Sequence, residues 1–234
     1  MSQFSASEFF DLARFAHPSL FEGGGPVWTA LGESLDRFFE SWVSWRIESE
    51  IPAGVHVLSG PVSIAAGCAI EPGAVLRGPL VVGPGCEVRT GAYLRGGVVL
   101  GAGCVVGAHS EVKRAILLDK AHAPHQNYVG DSILGAGVNL GAGTILSNVK
   151  NIGLEVTFQH DHELVHTGRR KFGAILGDGC RTGCNTVLNP GCLLGPGCVT
   201  YPGVTLRSGF YPAGTVIKLR QVQQTITLRD ASRG

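Results

Sequence analysis

From Leu58 onward an aliphatic residue recurs every six positions, at Ile64, Ile70, Leu76, Val82, Val88, Leu94, Leu100, Val106 and Val112. The residue four places after each is mostly small: Val62, Cys68, Ala74, Cys86, Ala92, Val98, Cys104 and Ser110, with Leu80 the exception. Gly-Pro-Gly and Gly-Ala-Gly turns fall between them. A helix repeats its buried face about every 3.6 residues and an isolated strand about every 2, so neither accommodates a strict period of six. Short strands stacked coil upon coil do, with three hexads closing each triangular turn. The sequence therefore predicts an all-β fold, a left-handed parallel β-helix of hexapeptide repeats. Aliphatic residues fill its narrow interior and small ones its corners.

The faults in the beat carry as much information as the beat. It steps by five rather than six from Val112 to Leu117 and from Val129 to Leu134, passing through Ala123 between them, and continues to Leu140 and Leu146. It resumes at Leu176, Thr182, Leu188, Leu194, Thr200 and Leu206. About 22 faces make roughly seven coils, a prism about 33 Å tall at the usual strand spacing. Residues 147–175 lose the beat and are expected to leave the prism as an extruded loop; such excursions from a solenoid usually sit on a functional face. The expected organisation is a helical cap or interaction segment over 1–50, the β-helix over 51–216 with its loop, and a tail over 217–234.

Residues 1–50 are of another kind. Ser5 or Ser7 is placed to cap a short helix through Phe9, Leu12 and Ala13, with Glu8 in its first turn. A longer helix is expected from about Val27 to Ile47, with Leu31, Leu35, Phe38, Phe39, Trp42 and Trp45 on a broad apolar face. That face needs a partner, and the open β edges of the first coil supply one. Gly23-Gly24-Gly25-Pro26 follows no strand and precedes no Lys-Ser or Lys-Thr, so it reads as a linker and not a phosphate loop. Residues from Val216 to Leu228 alternate weakly and are expected to be extended.

A formal net charge of +1 gives no electrostatic case for nucleic acid or an anionic membrane. Met1–Phe10 has neither the basic nor the apolar portion of a leader, and no run of 18 apolar residues occurs, so a cytoplasmic location is expected. Of seven cysteines, Cys68, Cys86, Cys104, Cys180, Cys192 and Cys198 occupy the small corner position. They read as stacked corner-fillers, small hydrophobes outside any disulfide or zinc pattern. Cys184 alone falls elsewhere in its hexad.

Several motifs at consistent separations then point one way: Tyr93-Leu94-Arg95, Glu111-Val112-Lys113, His125-Gln126-Asn127-Tyr128-Val129-Gly130-Asp131, and Val138-Asn139-Leu140-Gly141-Ala142-Gly143-Thr144. Over about 75–215 the chain resembles the acetyltransferase domain of bifunctional N-acetylglucosamine-1-phosphate uridylyltransferase/glucosamine-1-phosphate acetyltransferases, including both five-residue steps. The loop exit, Thr167-Gly168-Arg169-Arg170-Lys171-Phe172-Gly173-Ala174-Ile175-Leu176-Gly177-Asp178, is more similar to the archaeal-type sugar-phosphate nucleotidylyltransferase/acetyltransferases.

The resemblance implies a catalytic base at His125 and a sugar-phosphate site made of Arg95, Lys113, Tyr128, Asn139 and Lys171. It implies an acetyl-CoA site at Ala142, through its backbone N–H, with Asn148 and Cys184 nearby. It also implies a homotrimer whose clefts lie between prisms. Arg95 and Lys113 are one coil of 18 residues apart, so the repeat by itself stacks them on one wall. The chemistry suits these residue types. A sugar amine must lose a proton to attack a thioester, and histidine, with a reference pKa near ~6.5, is a base for that at neutral pH. A fixed N–H stabilises the oxyanion that forms, and cations holding the 1-phosphate place the amine. No metal is needed.

Two positions depart from the family pattern. Val149 stands where an aromatic residue follows the asparagine, and Cys184 where a serine lies near the acetyl donor. No Gly-rich nucleotide-binding βα unit precedes the prism, so uridylyl transfer by this chain alone is not expected. His160, Asp161, His162 and His166 resemble metal ligands in type, but on the alternating stretch Glu155–His166 they read as an exposed hairpin. His109, His122 and His125 do not reproduce the zinc spacing of a γ-class carbonic anhydrase. Two functions remain: N-acetylation of an amino-sugar 1-phosphate, glucosamine 1-phosphate first, and non-catalytic binding of a sugar phosphate or sugar nucleotide beside a separate nucleotidyltransferase.

Overall fold

The computed structural model describes residues 3–220, and within them the prism is present. Each coil runs through three walls. Wall A stacks Val62–Ile64, Leu80–Val82, Val98–Leu100, Ala115–Leu117, Ile133–Leu134, Ala174–Leu176, Cys192–Leu194 and Gly209–Tyr211 in parallel. Wall B stacks His56–Val57, Val75–Arg77, Tyr93–Arg95, Glu111–Lys113, Tyr128–Gly130, Ile145–Leu146, Val187–Leu188 and Thr205–Leu206. Wall C holds Ala69–Ile70, Glu87–Val88, Val105–Ala108 and His122–His125, continues through single bridges at Asn139 and Arg181, and ends with Val199–Thr200 and Val216–Ile217. Eight strands on walls A and B exceed the seven coils expected. The additional coil comes from the ends, where pairing continues past the last clear beat position. Only the start of the expected tail, to residue 220, lies inside the described residues.

Register explains which beat positions matter. From Ile64 to Leu206 the beat residues are buried, but Leu58 is 40% exposed. Wall B pairs Val57, not Leu58, with Leu76, so the beat as a structural fact begins one face later. The polar beat residues Thr182 and Thr200 stay inside because their hydroxyls pair with Thr144 and Thr186 at 2.8 and 2.9 Å. The corner cysteines are free thiols whose Sγ atoms donate to carbonyls of the next coil, as Cys86 does to Gly101 at 3.0 Å. Burial pushes the Cys192 thiol up to about 12. Cys184 alone is exposed.

Both five-residue steps are corners one residue shorter than usual. Arg95 reaches wall A through Gly96-Gly97, whereas Lys113 and Gly130 do so through Arg114 and Asp131, alone or followed at once by Ser132. Arg114 and Asp131 take left-handed backbone angles, φ 45° and 46°, to make the turn. Non-glycine residues seldom sit there, and such strain clusters at functional sites.

Wall A is apolar on both faces. Val81, Val99, Ile116, Ile133, Ile175 and Leu193 point outward and are still buried. Residues 4–45 cover them: Phe4, Phe9, Phe10, Phe15, Trp28, Leu31, Leu35 and Phe39 join that stripe in one core. The segment is a strap along the prism, not the cap expected over the first coil; only at Ile47, bridged to Ile64, does it extend the open edge. A row of six outward aliphatic side chains offers more apolar area than one coil end, and burying each large side chain stabilises by about 1.5–3 kcal/mol. Helical content is also less than expected. Three 3-10 turns, Ala6–Glu8, Pro18–Phe21 and Val27–Leu31, precede one α-helix, α1, at Glu33–Ser41, and Trp42 is already extended. Ser5 does cap the first turn, its N–H donating to the Glu8 carboxylate at 2.7 Å.

The excursion from wall B to wall A forms an antiparallel hairpin, Thr157–His160 with Glu163–His166. Its inner side is not free: Val156 and Phe158 pack into the strap core beside Phe172. Of the hairpin histidines, His160 meets Phe4 and Phe210 edge-on, and His166 pairs with Glu155 at 3.1 Å.

Candidate active site

Most of the site residues expected from the sequence fall on two edges of wall B. On the edge where wall C turns into wall B, the corner residues of successive coils stack through their carbonyls. Gln126 N–H donates to Ala108, Gly143 N–H to His125, Asn185 N–H to Ala142 and Gly203 N–H to Cys184, at 2.8–3.0 Å. His125, Ala142 and Cys184 therefore follow one another on a single rail, about 4.8 Å per coil. Gln126 and Asn185 adopt left-handed φ of 49° and 55° to make these turns. Asn127, 2% exposed, fixes the rail: it accepts the His125 N–H at 3.0 Å and donates to the Gly141 carbonyl at 2.8 Å. His125 itself is exposed. Among the described residues the Ala142 N–H has no acceptor.

The other edge, where wall B turns into wall A, is cationic. Arg95, on the strand next to Glu111–Lys113, donates to Glu111 at 2.6 Å, and this partner raises the guanidinium pKa further. Lys113 lies 3.4 Å from Asp131. Asp131 is 1% exposed, and the same carboxylate oxygen accepts the Asn148 amide at 2.6 Å. Tyr128 donates its hydroxyl to Asn148 at 3.4 Å, and burial, the larger influence, holds the phenol above its ordinary pKa. Gly130 makes this possible, because a side chain there would collide with the Tyr128 hydroxyl and the Asn148 amide. Lys171 bridges Val149 and lines, with Lys113, Arg114, Asp131, Arg169 and Arg170, a cavity of about 410 Å³.

The chain thus brings Lys113, Tyr128, Asn148 and Lys171 together on one edge and His125, Ala142 and Cys184 on the other, with Arg95 beside the first group. Asn148, expected near the acetyl donor, stands on the cationic edge. Asn139 is on wall C, between His122 and Arg181. The alternating wall-B strand Tyr128–Gly130 spans the interval, its Tyr128 ring outward. Sequence reasoning gave no role to Asp131, although it closes the His125–Asp131 motif at a five-residue step. Arg169 and Arg170 hold backbone: Arg169 donates to the Leu31 carbonyl at 3.1 Å and Arg170 to Gly153 at 3.0 Å. Arg114 meets Asp36 of α1 at 2.8 Å.

Residues 76–168 match the family described as the GMPPB C-terminal domain. Over 85 residues the chain is 40% identical to the bifunctional sugar-1-phosphate nucleotidylyltransferase/acetyltransferase of Sulfurisphaera tokodaii, covering 36% of this chain and 21% of that one. A bifunctional protein GlmU of Methanococcus maripaludis is 39% identical over 167 residues, 71% of this chain and 40% of its own. Over these spans the β-helix is similar to part of those bifunctional proteins. The chain spans only about a fifth to two fifths of these relatives' lengths. Among solved structures, the acetyltransferase domain of PglB from Neisseria gonorrhoeae covers 68% of this chain and 54% of its own, at 17% identity and a TM-score of 0.37. No helix among the described residues is long and apolar enough to cross a membrane.

Proposed function

We propose that this chain transfers acetyl from acetyl-CoA to the amine of an amino-sugar 1-phosphate, glucosamine 1-phosphate first, as a homotrimer. The observation that carries the reading is the two-edged wall: a cationic cavity on one side and the His125–Ala142–Cys184 rail on the other. Lys113 and Lys171, with Arg95, hold the phosphate; Tyr128 and Asn139 face the sugar; His125 takes the proton as the amine nitrogen bonds to the thioester carbonyl carbon. The Ala142 N–H stabilises the resulting oxyanion. Collapse breaks the carbon–sulfur bond, and the departing coenzyme A thiolate receives the proton from His125. Cys184, the next residue on the rail, flanks the acyl donor in this scheme. The chemistry asks for no metal.

The N-terminal strap is where a separate nucleotidyltransferase would dock. A cytoplasmic setting fits acetyl-CoA use.

The test is chromatographic detection of coenzyme A release with glucosamine 1-phosphate and galactosamine 1-phosphate, in native protein and His125→Ala. Loss of the base lowers turnover about 10²–10⁴-fold. Absence of turnover with both sugars in protein shown to be trimeric refutes these amino-sugar 1-phosphates as acceptors and favours another acceptor, or sugar-phosphate or sugar-nucleotide binding without catalysis.

A further inference from the structure

The cationic cavity is larger in charge than one phosphate requires. Five cationic side chains line it, Lys113, Arg114, Arg169, Arg170 and Lys171, against one lining carboxylate, Asp131. Asp36, on α1, neutralises a second of the five by pairing with Arg114 at 2.8 Å. Asp131 is 1% exposed and spends one oxygen on both Lys113 and Asn148, so it lines the cavity floor with that oxygen already engaged. Three cations are left without a carboxylate partner among the described residues. Arg169 is held by two carbonyls, those of Leu31 and Lys171, so its charge is fixed in place, with Asp131 and Asp36 near it but neither in ion-pair contact. A monoester phosphate already has Lys113 and Lys171 in the mechanism proposed above. Arg169 and Arg170 lie beyond them on the loop's return, directed by backbone carbonyls that fix only one side of each guanidinium.

Exposed aliphatic side chains stand next to Arg170 and Lys171, and two of them, Val149 and Ile152, line a neighbouring cavity. Arg170 Nε donates to Gly153, and on either side of Gly153 stand Ile152 and Leu154, 73% and 62% exposed. Val149, bridged to Lys171, is 41% exposed. Three exposed aliphatic side chains beside a cationic pocket make a surface for a flat apolar group carried on a polyanion.

We infer that the loop builds a second phosphate subsite from Arg169 and Arg170, flanked by an apolar shelf of Val149, Ile152 and Leu154, so that the site takes nucleoside-diphosphate amino sugars as well as the monophosphate. The first phosphate sits at Lys113 and Lys171, the second at the two arginines, and the base lies over the shelf. This rests on the acetyl-transfer reading for the position of the sugar, but the subsite is testable without it. Arginine suits the task because its planar fork engages phosphate oxygens in pairs.

Inorganic phosphate and pyrophosphate are titrated into the full chain by calorimetry with chelator present, in native protein, Arg170→Gln and Ile152→Ser. Acetyl transfer to glucosamine 1-phosphate and to uridine-diphosphate glucosamine is measured alongside. Native protein binds pyrophosphate at least 10-fold more tightly than phosphate; Arg170→Gln reduces that ratio at least 5-fold. Ile152→Ser weakens uridine-diphosphate glucosamine but not pyrophosphate. Equal affinity for the two anions, or a ratio unmoved by Arg170→Gln, overturns the second subsite. A loss of pyrophosphate binding in Ile152→Ser equal to that of the sugar nucleotide overturns the shelf. If the anion pattern holds and neither sugar is acetylated, the acetyl-transfer reading fails and the subsite stands. If glucosamine 1-phosphate turns over while pyrophosphate is not preferred, the reverse is true.

Discussion

Asp131 is the point where fold and site share a residue, and its replacement separates several contributions by size. In Asp131→Ala the Asn148 amide, buried to 8% exposure, loses an acceptor at 2.6 Å. A buried donor left unpaired costs about 1–3 kcal/mol. The Lys113 pair, at 3.4 Å with 21% of the lysine side chain exposed, adds about 0.5–1 kcal/mol, since solvent screens it. Alanine is also a poorer occupant than aspartate of the left-handed angle at this corner, where φ is 46°. The sum is about 2–4 kcal/mol, and at this size of chain each kcal/mol lowers the midpoint by about 2–4 °C. Asp131→Asn is the informative partner. Its amide oxygen still accepts from Asn148 and asparagine tolerates the corner, so only the ion pair is lost, about 0.5–1 kcal/mol. Urea unfolding followed by tryptophan fluorescence, at one fixed protein concentration, measures both. In the transfer assay both variants raise KM for the phosphorylated sugar more than they lower kcat, because Lys113 loses the group that aims it. Losses below 0.5 kcal/mol in both variants, or equal losses in the two, would refute the view that Asp131 organises this edge.

Two further perturbations address the strap. Trp28, 3% exposed and packed against Phe4, Phe158 and Phe172, also donates to the Thr167 carbonyl at 3.2 Å. Trp28→Ala is expected to destabilise by about 3–5 kcal/mol, and Trp28→Phe by less, in urea unfolding; a surface-like loss under 1 kcal/mol in Trp28→Ala would contradict a load shared by strap and hairpin. His17, packed against Phe38 and Trp42, is held below its ordinary pKa of 6.5 mainly by burial, partly opposed by Asp119. Its neutral form is the one that fits, so the stability it contributes is present above about pH 6.5 and is lost as the pH falls through the lower folded value. Hydrogen exchange of strap amides should accelerate between pH 7.5 and 5.5 beyond the intrinsic rate, and His17→Gln should remove that dependence. A dependence that survives the substitution would assign it to another group.

The interior of the prism was legible because a closed coil repeats its contacts at a fixed chain interval. Ile64, Leu76, Leu94 and Val112 are buried by the same arithmetic that spaces them, and the corner cysteines share it. The stacking of Arg95 and Lys113 followed from that period as well. The five-residue steps could be seen as irregularities, but not that Arg114 and Asp131 would absorb them in left-handed corners, since the dihedral depends on where the next coil must land. Asp131 stayed unnoticed for a related reason. A lone aspartate after a glycine reads as an ordinary turn residue until the chain brings Lys113 and Asn148 to it from coils on either side.

Periodicity in the sequence determined the prism, its core and the two edges on which the site residues fall, because neighbours in a solenoid are neighbours at a constant offset. Tertiary structure alone decided what lies outside that offset. The strap meets the excursion loop over separations of more than a hundred residues, as Trp28 does Thr167 and Leu31 does Arg169. No period links such partners. Only the outward apolar row of wall A, assembled from residues 18 or so apart and visible once the coils are stacked, selects where residues 4–45 come to rest, and with them the arginines that shape the cationic edge.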